Sequence, residues 1–334
     1  MRVGIVGASG YTGLELVKLI ISHPVFKLSY LATTTGDVLI ETLHPSLLDV
    51  VTMSVEKASV DAVKNSCDLV FLALPHKASM GFAKELWDSD VKVVDLSADY
   101  RLMQDTYEKH YCEHEDAEHA DDGVYGLLEY YREDIKNAKL VASPGCYPTA
   151  TLLGILPFMP YIDTDAPLFV DAKSGVSGAG KSCTETTHFV NMNDNIFAYN
   201  PLKHRHAPEI MEKIADIYGI SPKVHFVPHL VPMTRGELVS IYATLKSDID
   251  PIAILKSHYE NEPFIRIREM PVTTKNVSGT HFCDIFAVRD GNALFVSSSI
   301  DNILRGASSQ ALAAANLMCG LNESLGLPII AYTP

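Results

Sequence analysis

The chain is short of positive charge: 27 Lys and Arg stand against 41 Asp and Glu, for a formal net charge of −14 over 334 residues. Nucleic acid wants a basic surface, so this deficit argues against such a partner. A small anion needs only a local basic cluster and is not excluded. No apolar run reaches the ~20 residues needed to span a bilayer, and the opening MRVGIVGASG leaves no room for a signal peptide. The expectation is a cytoplasmic protein with no membrane partner. Cys67, Cys112, Cys146, Cys183, Cys283 and Cys319 include no CxxC pair, which points to reduced thiols, one of them a candidate for catalysis. Internal repeats and low-complexity linkers are absent too. A hydrophobic content of 47% excludes disorder, and the length suits about two domains.

Arg2 to Val6 reads as a buried parallel strand and Leu14 to Ile21 as the helix after it. Between them lie Gly7, Gly10 and Gly13, with Ser9, Tyr11 and Thr12 in the gaps. Glycines there allow a tight turn and close backbone approach, so a pyrophosphate can rest on the helix N-terminus. GxxGxxG alone is weak, and a turn that binds nothing is the bland alternative. Context strengthens it: strand-like runs follow at Lys27–Ala32, Leu69–Leu74, Lys92–Leu96 and Lys139–Ala142, separated by helical or polar stretches. Such alternation predicts an α/β fold with a Rossmann-type doubly wound parallel sheet.

The end of the second strand speaks to the choice of cofactor. An NAD enzyme would place Asp or Glu there on the ribose 2′-hydroxyl. This chain has Thr33, Thr34 and Thr35, whose hydroxyls tolerate a 2′-phosphate, with Asp37 close by. NADP is the expected cofactor.

Cys146 sits in SPGCYPT, Ser143 to Thr149, ahead of an apolar stretch that opens at Pro148. Proline suits the first turn of a helix. A thiol at a helix start faces unpaired N–H groups and the positive end of the dipole, both of which favour thiolate. The glycine before it and the proline after it describe a sharp turn rather than core packing. A nucleophile is expected here, against the alternative of a core cysteine.

From Pro167 the texture changes. Leu168–Asp171, Lys223–Val231, Leu238–Leu245, Cys283–Arg289 and Ala293–Ile300 are strand-like, joined by long polar loops. They predict an α+β substrate and oligomerisation domain with a mostly antiparallel sheet. A last helix, about Ile303 to Leu321, is rich in small residues and is assigned to the dinucleotide domain. The expected domains are therefore 1–145 completed by 303–334, and 146–302. Two basic clusters stand out: Lys203, His204, Arg205 and His206, then Arg235 in HLVPMTRGE. A histidine at a helix start, with Pro208 in its first turn, is a candidate proton carrier; a solvated cationic loop is the alternative. Arg235, and Arg101 after a parallel strand, suit bidentate anion contacts or structural salt bridges.

These pieces together resemble the N-acetyl-gamma-glutamyl-phosphate reductase family, of the aspartate-semialdehyde dehydrogenase-like superfamily. The resemblance covers essentially the whole chain. It rests on GASGYTG, ALPH, VVDLSADYRL, VYGL, SPGCYPT, SGVSGAGK, KHRHAPEI, PHLVPMTRG and the closing LPIIAYTP. It implies Cys146 as nucleophile and His206 as acid–base, with His204 the competitor. Substrate contacts would fall on Arg101, Lys203, His204, Arg205 and Arg235. Cofactor contacts would fall on Gly7, Ser9 to Gly13, Thr33 to Thr35, Leu74, Pro75, Ser177, Gly178 and Asn302. Relatives commonly carry Ser and Arg where this chain has its threonine run. The implied reaction is NADPH-dependent reductive dephosphorylation of an acyl phosphate through a Cys146 thioester, in arginine biosynthesis, by a homodimer or homotetramer. No metal is required.

Three rivals remain. GVSGAGKS, Gly175 to Ser182, satisfies the Walker A pattern and follows a strand-like run, so a phosphate-binding NTPase is an alternative. The segment after it lacks the apolar periodicity of a docking helix. His110, Cys112, His114 and His119 are residue types that suit zinc, yet Glu113, Glu115, Asp116, Asp121 and Asp122 mark a solvated acidic loop. Among enzymes, the competitors are aspartate-semialdehyde dehydrogenase and the carrier-linked aminoadipate phosphate reductase, and HRHAPE tilts away from both.

Overall fold

The computed structural model describes residues 1–333. Two units emerge from the chain's contacts: Met1–Pro144 with Ala307–Leu327, and Gly145–Gly306 with the residues from Pro328 on.

The first unit carries eight strands: β1 (Arg2–Val6), β2 (Lys27–Thr33), β3 (Val38–Leu39), β4 (Ser54–Lys57), β5 (Leu69–Leu72), β6 (Lys92–Asp95), β7 (Val124–Tyr125) and β8 (Leu140–Ala142). Their order is β3-β4-β2-β1-β5-β6-β8-β7. Every pairing is parallel except β3 with β4. β5 and β8 are buried along their whole length, as continuous apolar strands are when helices cover both faces. Helices Tyr11–Ile21, Leu128–Asn137 and Ser309–Met318 pack together, and Val60–Ser66 packs with Ala78–Leu86. Val63, Val70, Leu72, Ala83, Leu86 and Val93 share one core cluster. The predicted parallel sheet is present. Sequence reading missed β3, β4 and β7, which are edge or near-edge pieces too short to give a periodic signal.

The second unit holds β9 (Leu168–Gly175), β10 (Phe197–Ala198), β11 (Val224–Val231), β12 (Glu237–Thr244), β13 (Ile265–Ile267), β14 (Cys283–Asp290) and β15 (Ala293–Ile300) in the order β10-β11-β9-β12-β15-β14-β13. Most pairings are antiparallel, as expected, but β9–β11 and β13–β14 are parallel. A parallel pair needs a crossover, and helix His206–Tyr218 lies in the one between β9 and β11. Helix Cys146–Ile155 packs on β12 and β15; every residue after Cys146 in it is buried, as suits a helix apolar all round. Phe169, Tyr242, Phe295 and Val288 lie in register across β9, β12, β15 and β14. Phe169, Tyr242 and Val288 in this row are about half exposed, at 48%, 48% and 47%.

The last helix differs from its expected span. Leu304–Ser308 forms a single π-helical turn before the α-helix Ser309–Met318. Asp301 organises the entry: its Oδ1 accepts from the N–H groups of Ile303 and Leu304 at 3.0 and 3.1 Å, and its carbonyl accepts from Gly306 at 2.9 Å. Such turns concentrate at functional sites.

Candidate active site

In the first unit, Gly7 follows β1 with φ +97°, and the N–H groups of Gly7 and Ala8 both donate to the Ala32 carbonyl. A Cβ at Gly7 would meet the Ala73 carbonyl oxygen at 2.2 Å, and one at Gly13 would meet that of Gly7 at 2.4 Å. Gly10 differs: the nearest atom to a Cβ there is 3.8 Å away. Gly10 is also the N-cap of helix Tyr11–Ile21 and gives it no side-chain cap. The first-turn N–H groups have no partner within the helix. Ser9 and Thr12 are half-buried and Tyr11 is exposed. This arrangement fits a dinucleotide pyrophosphate.

The threonine run splits into two environments. Thr33 is buried, and its hydroxyl accepts the N–H of Gly36 at 3.0 Å, closing a turn. Thr34 and Thr35 are exposed beside it, while Leu74 is half-buried and Pro75 exposed after β5. Arg101 is buried; its Nε donates to the Ser143 carbonyl at 2.7 Å and its Nη2 to that of Leu96 at 2.9 Å. That guanidinium braces two strand ends.

In the second unit, Cys146 is the first residue of its helix, and Gly145 is the N-cap, again without a side-chain cap. Here the helix start is crowded. Glu209 Oε1 accepts the Gly145 N–H at 2.9 Å. A Cβ on Gly145 would lie 2.6 Å from His206 Nε2, so only glycine lets the imidazole come this close. The Tyr147 ring meets that of His206 edge-on at 5.7 Å. Both chain neighbours of Cys146 therefore touch His206, and Cys146 itself is only partly buried. On another side, a Cβ on Gly306 would lie 2.6 Å from Cys146 Cβ. Structure and sequence agree on bringing Cys146 and His206 together.

The two histidines are in different situations. His204 Nδ1 accepts the backbone N–H of His206 at 3.2 Å, and burial, reinforced by Arg205, pulls its pKa down to about 4. At neutral pH it is an uncharged cap for the helix start. Lys203 and Arg205 are exposed. Arg235 Nη1 lies 3.4 Å from Asp301 Oδ2, and the guanidinium sits 5.4 Å from the centre of the Tyr332 ring. Asn302 is buried; its Oδ1 accepts from Gly236 N–H at 2.8 Å and its Nδ2 donates to Ser177 Oγ at 3.0 Å. Gly178 lies against the same group, so the predicted Ser177, Gly178 and Asn302 form one cluster.

Sequence reading missed four contributors. Glu209 was quoted only as part of a motif, although its place one turn after His206 on the same helix face was a usable signal. Glu237, the first residue of β12, is fully buried. Among the described residues neither of its carboxyl oxygens has a hydrogen-bond partner. Burial first, then the charge of Asp301, raises its pKa to about 8. After Arg-Gly at a strand start it reads as a surface carboxylate, and nothing local says otherwise. Tyr199, whose hydroxyl donates to that of Tyr147 at 3.2 Å, and Gly306 are equally silent in sequence.

Two expectations are corrected. The Walker-like segment leaves β9 into a short 3-10 turn, Val176–Ala179, and Gly180 follows with φ +86°. No helix opens at Lys181 or Ser182; the next is Phe189–Met192. A P-loop needs that helix N-terminus, so the NTPase alternative fails. The segment around His114 is not uniformly solvated either. Asp116 is fully buried, accepting from Tyr100 Oη at 2.8 Å and bonded to His119 Nδ1 at 2.9 Å. His114 is buried with Nε2 2.8 Å from the Asp99 carbonyl oxygen. Among the described residues no group of three or more His, Cys, Asp or Glu side chains is arranged to hold a metal, and no helix is long and apolar enough to cross a membrane.

Comparison with known proteins follows the same division. Residues 2–138 match the semialdehyde dehydrogenase NAD-binding domain, and residues 146–302 the semialdehyde dehydrogenase dimerisation domain. The fold agrees: aspartate semialdehyde dehydrogenase II from Vibrio cholerae superposes with a TM-score of 0.73 at 16% identity, over 96% of this chain and 98% of that one. An aspartate semialdehyde dehydrogenase with NADP from Candida albicans gives 0.69 at 14% identity, over 95% and 98%. The architecture is thus that of the semialdehyde dehydrogenase class. Within it, N-acetyl-gamma-glutamyl-phosphate reductases from Sulfurovum sp. and Wolinella succinogenes are 72% and 59% identical over 100% and 99% of this chain, and 100% and 98% of theirs. The chain belongs to the N-acetyl-gamma-glutamyl-phosphate reductase family.

Proposed function

We propose that this protein reduces N-acetyl-γ-glutamyl phosphate to N-acetylglutamate semialdehyde, releasing inorganic phosphate, as a step of arginine biosynthesis in the cytoplasm. The observation that carries the reading is the placement of Cys146 at a glycine-capped helix start, with His206 Nε2 against Gly145 on one side and Tyr147 on the other. The Cys146 thiolate attacks the γ-acyl carbon, the C–O bond to phosphate breaks, and a thioester on Cys146 results. Sulfur suits both halves of the cycle, being a strong nucleophile and a good leaving group. NADPH, when bound, supplies the hydride that reduces the thioester carbon. His206 holds or gives the proton at the reacting oxygen as the hemithioacetal forms and collapses. His204, neutral down to a pH of about 4, is placed as the structural partner of His206 rather than the acid–base group.

Glu209 fixes the Gly145 N–H and so the entry to the nucleophile turn. Lys203, Arg205 and Arg235 are the cations put forward for the substrate's carboxylate and phosphate, and Arg101 for bracing Ser143 ahead of the nucleophile. The cofactor is proposed to be NADP rather than NAD, because the end of β2 presents the hydroxyls of Thr34 and Thr35 where an acidic residue would repel a 2′-phosphate. The half-exposed row Phe169, Tyr242 and Val288 supports a homodimer or homotetramer built on this sheet face. The test is phosphate-dependent reduction of NADP by the purified protein with N-acetylglutamate semialdehyde, run beside aspartate semialdehyde and with NAD substituted. Turnover with aspartate semialdehyde alone, or turnover without phosphate, would overturn the reading.

A further inference from the structure

The closing segment LPIIAYTP has no part in the mechanism above, and from Pro328 on it belongs to the same unit as the nucleophile. We infer that Tyr332, near the end of the chain, is a positioning residue for Arg235: its ring and Asp301 form two walls that hold the guanidinium ready for an oxyanion of the substrate. The inference rests on the reading of Arg235 as a substrate cation.

The end of the chain is fastened beside the turn at 277–280. The Pro328 carbonyl accepts the N–H of His281 at 2.8 Å, and the Tyr332 N–H donates to the Ser278 carbonyl at 2.9 Å. Between these two bonds Ile329 and Ile330 are exposed, so the segment is held at its ends and not by a buried apolar face. Tyr332 is itself 60% exposed. A ring so exposed adds little to a core, and what it touches is specific. It lies on Gly279, where a Cβ would come within 2.7 to 2.8 Å of three ring atoms. It also faces Arg235, whose guanidinium carbon is 5.4 Å from the ring centre. That distance is within the range of a cation held over an aromatic face.

The second wall is Asp301, with Oδ2 3.4 Å from Arg235 Nη1. This carboxylate is fixed independently of the arginine, because Oδ1 accepts the N–H groups of Ile303 and Leu304 and Oδ2 accepts that of Gly279 at 2.7 Å. Gly279 therefore anchors both walls: its N–H bonds the carboxylate and its bare Cα carries the ring. Its φ of +86° is a further reason for glycine there. The backbone under the arginine is fixed as well, since Gly236 N–H donates to Asn302 Oδ1 at 2.8 Å. What remains to be set is a long side chain that loses much rotamer freedom on binding an anion. The ring and the carboxylate remove that freedom in advance, which lowers the cost of binding. Asp301 also accepts the Gly306 N–H through its carbonyl, and Gly306 lies against Cys146, so the cation and the nucleophile share one frame.

The test is steady-state kinetics of the phosphate-dependent direction, with KM measured in turn for N-acetylglutamate semialdehyde and for inorganic phosphate. Arg235→Ala identifies which of the two oxyanions the arginine holds. Tyr332→Leu still covers Gly279 but offers no aromatic face; it should raise that same KM by about tenfold, with kcat within about twofold, NADP affinity unchanged and the melting temperature close to wild type. Tyr332→Phe keeps the ring and should keep the wild-type KM. Added to Arg235→Ala, Tyr332→Leu should have no further effect, as expected of two residues acting through one interaction. If Tyr332→Leu does not fold, the chain ended at Ala331 decides by the same KM, and failure of both to fold would overturn the inference in favour of a structural role. An unchanged KM in folded Tyr332→Leu, an equal rise in Tyr332→Phe, or a full additional effect in the double variant would also overturn it while leaving Arg235 in place. If Arg235→Ala moves neither KM, the underlying reading of Arg235 falls, and this inference with it.

Discussion

Two helices in this molecule, one in each unit, start at a glycine that offers no side-chain cap, and they are used in opposite ways. Gly10 opens Tyr11–Ile21 with nothing nearer to a Cβ than 3.8 Å, whereas Gly145 opens Cys146–Ile155 with His206 Nε2 2.6 Å from where a Cβ would be. The backbone device is the same: unpaired N–H groups and a positive dipole end. Left bare, it is a place for a ligand's negative charge. Crowded by Glu209, His206 and Tyr147, it becomes a place for the protein's own thiol, that of Cys146. A helix start is therefore a common element, and its surroundings decide its chemistry.

The contrast can be broken most sharply at sulfur. Cys146→Ser should lower turnover by about 10⁴-fold or more while NADPH titration remains as in wild type; normal turnover would end the comparison. His206→Asn should lower kcat by ~10²–10⁴-fold, with a melting temperature close to wild type and an altered pH profile. A change confined to KM would remove His206 from the proton-carrying role.

Glycine substitutions test the crowding itself. Gly145→Ala should cost on the order of 10² in kcat, because a displacement of about 1 Å at His206 suffices for that. Gly10→Ala meets open space, so kcat should hold while NADPH affinity falls by roughly tenfold, read by fluorescence titration. Equal effects at the two positions would erase the difference drawn between them. Gly7→Ala, at φ +97° and 2.2 Å from the Ala73 carbonyl oxygen, should instead lower stability by about 1–3 kcal/mol.

The smallest effect concerns His204. Its folded pKa, about 4, lies below the 6.5 of an ordinary histidine, so below pH 6.5 the unfolded chain takes up a proton that the folded chain does not. Stability is therefore lost as pH falls from 6.5 toward 4, by at most about 3 kcal/mol for this group. His204→Asn keeps an acceptor for the His206 N–H and should flatten that acid limb in urea unfolding, with kcat near neutral pH within severalfold of wild type. An unchanged acid limb would show that His204 is not the group responsible.

Legibility differed between the two helix starts for a physical reason. The glycines around Gly10 are specified by backbone sterics within a dozen residues of chain, so their spacing alone exposes the turn. The nucleophile's turn was equally local and equally visible. Its supporting groups were not, because Glu209, Glu237 and Gly306 arrive from 63, 91 and 160 residues further along, and no short-range pattern distinguishes a buried carboxylate from a surface one. The same blindness made GVSGAGKS look like a phosphate loop: the residues fit, but the helix that gives such a loop its function is missing. It also made the acidic segment near Asp116 look uniformly wet.

By itself, the sequence determined five strands of the parallel sheet (β1, β2, β5, β6 and β8), the glycine turn, the thiol at one helix start and the histidine at another, because periodicity, glycine spacing and turn chemistry act over a few residues. Tertiary structure alone decided which glycine-capped helix start stays open, which histidine is neutral, and that the carboxyl of Glu237 is buried. Desolvation and contact depend on what the rest of the chain packs around a group, and no stretch of residues carries that information on its own.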